Sequence, residues 1–283
     1  MLEHLMYFNI VRMAKVFGVS RSGFYYWVKH RHKASQREAV RQELDTKVKE
    51  AFDNSKGRDG SRRIQKELSE SGDNHNVKTI AASMKRQDLT PKAARKFKCT
   101  TDSKHQMPVA PNLLAQNFNA AAPNEKWAGD ITYVATSEGW LYLAVIIDLY
   151  SRQVIGWSMD TRMTATLVCD ALSMALFRRE FPEQVIVHSD RGSQYCSKDY
   201  RDLITVYNLK QSMSRKGNCW DNACVESFFH SMKVEAIQYE SIMTRDQMRQ
   251  TIFEYIEVDY NRTRRHSALG YLSPVNFEQQ NVA

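Results

Sequence analysis

Carboxylates placed where a chain should be apolar are the first sign of chemistry in this sequence. Asp130 interrupts KWAGDITYVAT (126–136), a segment whose Val, Ile, Tyr and Trp content reads as a core strand. An unpaired carboxylate there is costly. Asp148 does the same in GWLYLAVIIDLYS (139–151), Asp190 closes the short apolar run QVIVHSD (184–190), and Glu226 lies in NCWDNACVESFFHSMKVE (218–235). Two aspartates and a glutamate suit a hard divalent cation such as Mg²⁺, which takes oxygen ligands and keeps positions for water and phosphate. Two such ions, about 3.5–4 Å apart, stabilise both the attacking and the leaving oxygen of a phosphodiester transfer. With 32 acidic residues in the chain, a D…D…E triple fits many places by chance, so the elements that carry it must decide. Asp148 is the rival ligand and is expected as a structural or supporting acid.

The segment around Glu226 reads as a helix. Val225, Phe228, Phe229, Met232 and Ala236 form its apolar side, and Asn222, Glu226, His230 and Lys233 a polar stripe. Lys233 is two turns beyond Glu226, roughly 10 Å away on nearly the same face. His188 and His230 could be active-site polar groups, and a core or surface histidine is the commoner explanation. The five cysteines (Cys99, Cys169, Cys196, Cys219, Cys224) are odd in number and contain no CxxC pair, which argues against a disulfide scaffold. Neither Cys219 and Cys224 nor His30 and His32 have zinc-site spacing, so no zinc is expected.

The elements that must position these groups follow in a definite order. Three β-rich segments (126–136, 139–151 and 152–160) separated by short turns predict an antiparallel meander. TATLVCDALSMALFR (164–178) predicts a buried helix, 184–190 a strand, KDYRDLITVYN (198–208) an amphipathic helix, LKQSMS (209–214) a strand, and a long helix starts near Asn222. That order is the ribonuclease-H-like α/β fold, a mixed five-stranded sheet flanked by helices.

Charge divides the chain. Residues 1–123 hold 23 Lys+Arg against 12 Asp+Glu, whereas 124–283 hold 17 against 20. A basic front on a slightly acidic back points to a nucleic-acid-binding arm. The front reads as all-α. In NIVRMAKVFGVSRSGFYYWVKH (9–30), two helices meet at Gly18, with Ser20 capping the second and Arg21 near its start, the helix-turn-helix plan. A second helical region carries Leu44, Val48 and Phe52, then SRRIQKELSE (61–70) with Ser61 as N-cap, then Val77, Ile80, Ala81 and Met84. Arg62, Arg63, Lys66, Lys85, Arg86, Arg95, Lys96 and Lys98 are its candidate phosphate contacts. The expected domains are a helix-turn-helix-like segment at 1–35, a helical DNA-binding region at 41–98, a Pro-containing linker at 99–123, the catalytic core at 124–240 and a helical extension at 241–283. No apolar run approaches the roughly 18 residues of a membrane span, and the first 18 residues read as an amphipathic helix rather than a signal peptide. A cytoplasmic, nucleoid-associated protein without membrane contact is expected.

Together WAGDITY, HSDRG and the tail YNRTRRHSALGYLSPVNFE (260–278), in this order and with 35 residues between Asp190 and Glu226, resemble the DDE transposases of bacterial insertion sequences, whose core is retroviral-integrase-like. The match is nearest the group encoded in two overlapping frames, in which this chain would be the second-frame product. SRRI (61–64) shares in the resemblance, although its lead-in GRDG departs from a Tyr-Gly-Tyr-like pattern. The resemblance implies Asp130 as a ligand bridging two Mg²⁺ ions, with Mn²⁺ as a substitute, and Asp190 and Glu226 each completing one. It also implies a Lys233 contact to the DNA end, double-stranded DNA as element end and target, a homo-oligomer on paired ends, and an upstream-frame partner or fusion. The implied reaction is cleavage at element ends and transfer of the 3′ hydroxyl into target DNA. Arg262, Arg264, Arg265 and His266 either clamp DNA or pack on the core. The rival functions are a structure-specific nuclease on the same fold and a catalytically silent DNA-binding regulator or element remnant.

Overall fold

The computed structural model describes residues 1–31, 36–92, 108–215 and 222–281. It contains two compact units, divided after Pro91. No described helix is long and apolar enough to cross a membrane.

The first unit is helical. A 3-10 turn, Leu2–His4, precedes α1 (Ile10–Val16) and α2 (Arg21–His30). The expected single amphipathic helix at the start is therefore broken, because Asn9 in an extended conformation caps α1 through its side chain. Gly18 turns the chain at φ 65°, a conformation that suits a residue without Cβ, and Ser20 caps α2 by accepting from Gly23 N–H. Helices α3 (Gln36–Asn54), α4 (Ser61–Glu70) and α5 (Val77–Arg86) enclose a small core of Leu44, Val48, Ala51, Ile64, Leu68, Ile80 and Met84. Two expected details differ. Gly60 rather than Ser61 occupies the N-cap of α4, and Ala81 faces solvent while Ser83 is buried. Ser83 is tolerated inside because its hydroxyl donates to Asp45 at 2.5 Å.

In the second unit, strands β1 (Lys126–Thr136), β2 (Gly139–Asp148) and β3 (Val154–Asp160) form the expected antiparallel meander. Helix α6 (Ala165–Arg178) crosses to β4 (Ile186–Ser189), and α7 (Lys198–Val206) crosses to β5 (Lys210–Met213). Both later strands run parallel, giving the sheet order β3-β2-β1-β4-β5. One face packs on α6 and α7 through Trp127, Ala144, Ile146, Leu172 and Ile204. The other packs on α8 (Ala223–Met232) and α9 (Arg245–Glu254) through Ala128, Val145, Phe228 and Ile252. Two π-helical stretches extend these helices, Lys233–Ile237 after α8 and Tyr255–Thr263 after α9, and α10 (Pro274–Asn281) ends the described chain. Residues 108–123 form no regular element, as a connector should, but Leu114 is buried in the core and the N–H groups of Leu113 and Leu114 donate to Ser212 Oγ. This half of the expected linker is part of the sheet's packing.

Candidate active site

Register places the first two carboxylates. The parallel pairing of β1 with β4 ends at Ala128 opposite His188. Asp130, within β1, and Asp190, one residue past the end of β4, each stand two residues further along, a count that puts them on the same side of the sheet. They sit where the parallel strands part, at the carboxyl ends where open α/β sheets carry their sites. The side chain of Asn222, at the start of α8, donates to Gly129 C=O at 3.1 Å and ties the helix to β1 beside Asp130. One turn on, Glu226 is exposed on the polar stripe, whereas Val225, Phe228, Phe229 and Met232 are buried as the period requires.

The electrostatics join the three. Burial first, and then the charge of Asp190, push the Asp130 carboxyl well above its ordinary range; Glu226 adds to this, and Lys233 and the Ile131 N–H oppose it. Ile131 N–H donates to Asp130 Oδ1 at 2.8 Å, and Gly192 N–H donates to Asp190 Oδ1 at 2.8 Å. Burial also raises the Glu226 carboxyl. Lys233 Nζ lies 5.5 Å from the Tyr133 ring. Carboxylates brought together in this way form an all-oxygen donor set of the kind a hard divalent ion takes. Among the described residues, no three His, Cys, Asp or Glu side chains already stand as a cage for one ion.

Asp148 is placed elsewhere. It pairs with Trp127, three steps down the β1–β2 ladder from Asp130 and on the opposite face. Its oxygens accept from the N–H groups of Asn124 and Tyr150, each at 2.9 Å, and Arg179 lies 3.7 Å away. This is a fully buried structural carboxylate. His188 is fully buried between Ser212 Oγ at 2.8 Å and Ser214 Oγ at 3.1 Å, so it supports the core.

The basic candidates separate into engaged and open groups. Arg86 Nη2 meets Asp45 at 2.5 Å, and Arg63 meets Asp59 at 3.0 Å. Arg264 lies inside the fold, with Nη2 2.8 Å from Glu235, which also accepts from Tyr255 O–H at 2.8 Å. Arg265 reaches the Tyr271 carbonyl. Arg21, Arg62 and Lys85 are exposed, and Lys66 is half-buried. Arg95, Lys96 and Lys98 lie outside the described residues. Sequence reasoning missed Glu235, a buried acid whose period placed it among apolar neighbours.

Comparison with known proteins now adds to this geometry. Integrase core domain models match residues 120–219 and 226–282, and an HTH-like domain model matches residues 39–97. The HTH-like match therefore falls on α3 to α5, not on the α1–α2 pair. The chain is 56% identical over 281 residues to the transposase InsF for insertion sequence IS3A of Escherichia coli strain K12, covering 99% of this chain and 98% of that one. It is 47% identical to an uncharacterized 31 kDa protein of insertion element IS600 from Shigella sonnei, over 95% of this chain and 98% of the other. Among solved structures, a simian T-cell lymphotropic virus intasome chain aligns with a TM-score of 0.48 at 16% identity, over 75% of this chain and 69% of that one. The HTLV-2 integrase catalytic core domain with magnesium aligns with a TM-score of 0.43 at 16% identity, over 56% and 98%. An HTH-like domain beside an integrase core marks a DNA-binding enzyme of the transposase and integrase class. More than half of its residues match those of an IS3 transposase across nearly the whole of both chains, and the protein belongs to the IS3 transposase family.

Proposed function

We propose that Asp130, Asp190 and Glu226 are the catalytic carboxylates, and that they hold two Mg²⁺ ions, replaceable by Mn²⁺, with no zinc in the protein. The observation that carries this reading is the shared register of Asp130 and Asp190 past the end of the β1–β4 pairing, with the Glu226 helix tied to Gly129 beside them. Bound divalent ions would supply charge neutralisation of the attacking and leaving oxygens and a lowered pKa for the attacking water or hydroxyl. The chain's own residues orient and exclude. Asp130 is held by the Ile131 N–H, Asp190 by the Gly192 N–H, and Glu226 enters from a helix fixed by Asn222.

The reaction is a pair of phosphoryl transfers. Water attacks a phosphodiester at the element end, one P–O bond breaks, and a 3′ hydroxyl is released. That hydroxyl attacks a target phosphodiester, forming one P–O bond as another breaks, so no external energy source and no protein–DNA bond are needed. Lys233 contacts the element end, while Arg21, Arg62 and Lys85 contact backbone phosphates. The working form is a homo-oligomer on paired double-stranded ends, and an upstream-frame protein is its partner or fusion half. In the bacterial cell the protein resides on the nucleoid.

A pre-cleaved duplex of the element's own end, mixed with plasmid and Mn²⁺, tests the reaction class. Covalent joining of the labelled 3′ end to plasmid is expected. Nicks without joined product would move the protein to the nuclease reading, and end binding without any metal-dependent product to the silent regulator.

A further inference from the structure

Strands β1 and β2 run past the helices that cover one of their faces. Toward α8 and α9, Thr132, Val134 and Thr136 stay buried to the end of β1. On the opposite face, which α6 and α7 cover at Trp127, Tyr133 and Ala135 are exposed. Register sets Tyr142 opposite Tyr133 and Trp140 opposite Ala135, so three aromatic rings share the outer end of that face. Tyr133 is 41% exposed, Trp140 is 51% exposed, and Tyr142 is half-buried. The Tyr133 ring meets Trp140 edge-on with centroids 5.0 Å apart, and its centroid lies 6.3 Å from that of Tyr142. Cross-strand pairing of this kind steadies a hairpin, yet it leaves much of both outer rings open to water.

A cation stands beside these rings. β4 pairs with β1 only as far as Ala128. Past that point Lys233, in the π stretch that follows α8, brings Nζ to 5.5 Å from the Tyr133 ring centroid. Asp130 stands on the other face of β1, three residues before Tyr133 and so about 10 Å along the strand. On the far side of the rings, Asp160 of β3 pairs with Tyr142 and gives that border a negative charge. Open aromatic rings with an ammonium on the side toward a phosphodiester-transfer site suit unpaired nucleotides, whose bases stack on rings whatever their sequence while a cation meets the phosphate. Intact duplex keeps its base faces inside the stack and offers the rings nothing. We propose that Tyr133 and Trp140 stack the unpaired bases of a frayed strand at the reacting DNA end, with Lys233 on its phosphate. The inference rests on the carboxylate site being where the DNA reacts.

The test uses the full chain in fluorescence anisotropy with two probes, a blunt duplex and the same duplex carrying a short single-stranded dT extension. Wild type should bind the extended duplex more tightly. Tyr133→Ala and Trp140→Ala should each weaken that binding by about fivefold or more, with a much smaller change on the blunt duplex, and Trp140→Phe should keep most of it. Both side chains are exposed, so the Tm of each variant should move little. Equal weakening on both probes would overturn the stacking, and so would wild-type binding of the extended duplex by both alanine variants. A changed oligomeric state in light scattering, with binding to both probes unchanged, would overturn it too and give this face to a protein partner. Metal-dependent plasmid nicking by Asp130→Asn is measured alongside. Its loss beside any of those contrary results would leave the carboxylate site standing and remove the stacking alone. Its persistence would remove the site reading and, with it, the place of these rings at the reacting end.

Discussion

At the scale of single residues, Asp130, Asp190 and Glu226 bring repulsion into the fold. Asp130 is pushed up by burial and by Asp190 and Glu226, so its ionisation costs the folded state. A folded-state pKa above the unfolded value means that the native protein binds the extra proton. Stability is then fully present below the unfolded value, about 3.9 for Asp, and is lost as pH rises through the folded one. In metal-free buffer at neutral pH, Asp130→Asn should therefore raise Tm, at about 2–4 °C for each kcal/mol relieved. That gain should shrink as the buffer is taken down through the raised pKa, and scanning calorimetry across pH reads both. Asp130 was legible in the sequence because a carboxylate inside a β-rich run contradicts its surroundings.

At the scale of elements, two contacts decide how the site is held. Asn222 is buried where α8 meets β1, and we propose that its bond to Gly129 aligns Glu226. Asn222→Ala should reduce metal-dependent nicking by about 10–100-fold, the range seen when groups that orient ligands are removed, with a much smaller fractional loss of stability. A fall in activity no larger than the fall in folded fraction would count against that alignment. The π-helical stretch after α8 carries Glu235, which with Arg264 forms a buried pair that Tyr255 completes. Removing one partner of such a pair leaves a stranded charge and costs about 3–5 kcal/mol. Arg264→Ala should thus show its loss in denaturant melts, and a joint Arg264→Met, Glu235→Leu change should recover most of it. The strands and helices of this unit were readable from period and composition. The π stretches were not, since an extra residue in a helical turn leaves no mark in the sequence, and both readings of Arg264 stayed open until Glu235 was found opposite it.

At the scale of the whole molecule, charge and chemistry are divided between a basic front and an α/β back. The basic residues 1–123 carry a net +11 by count, 23 against 12, and the HTH-like match lies within them. Phosphate contacts made by exposed Arg62 and Lys85 should each contribute about one to the slope of log affinity against log salt. Arg62→Ala and Lys85→Ala are expected to flatten that slope in fluorescence anisotropy, with little change in melting. Arg86→Ala should instead lower stability, because Asp45, whose carboxyl the Arg86 hydrogen bond holds below its ordinary range, loses its partner. The division into a basic helical front and an α/β back was visible in charge and periodicity alone. The packing of residues 108–123 onto β5 was not, because a segment without period gives no sign of where it docks. Our proposal joins three carboxylates, from β1, the end of β4 and α8, in one metal-dependent site. It is tested most directly by incubating supercoiled plasmid with Mn²⁺ or Mg²⁺ and wild type, Asp130→Asn, Glu226→Gln or Asp148→Asn. Metal-dependent nicking should be lost in Asp130→Asn and Glu226→Gln and should persist, scaled to its folded fraction, in Asp148→Asn. Nicking that survives in either triad variant, or that vanishes only in a well-folded Asp148→Asn, would contradict the account.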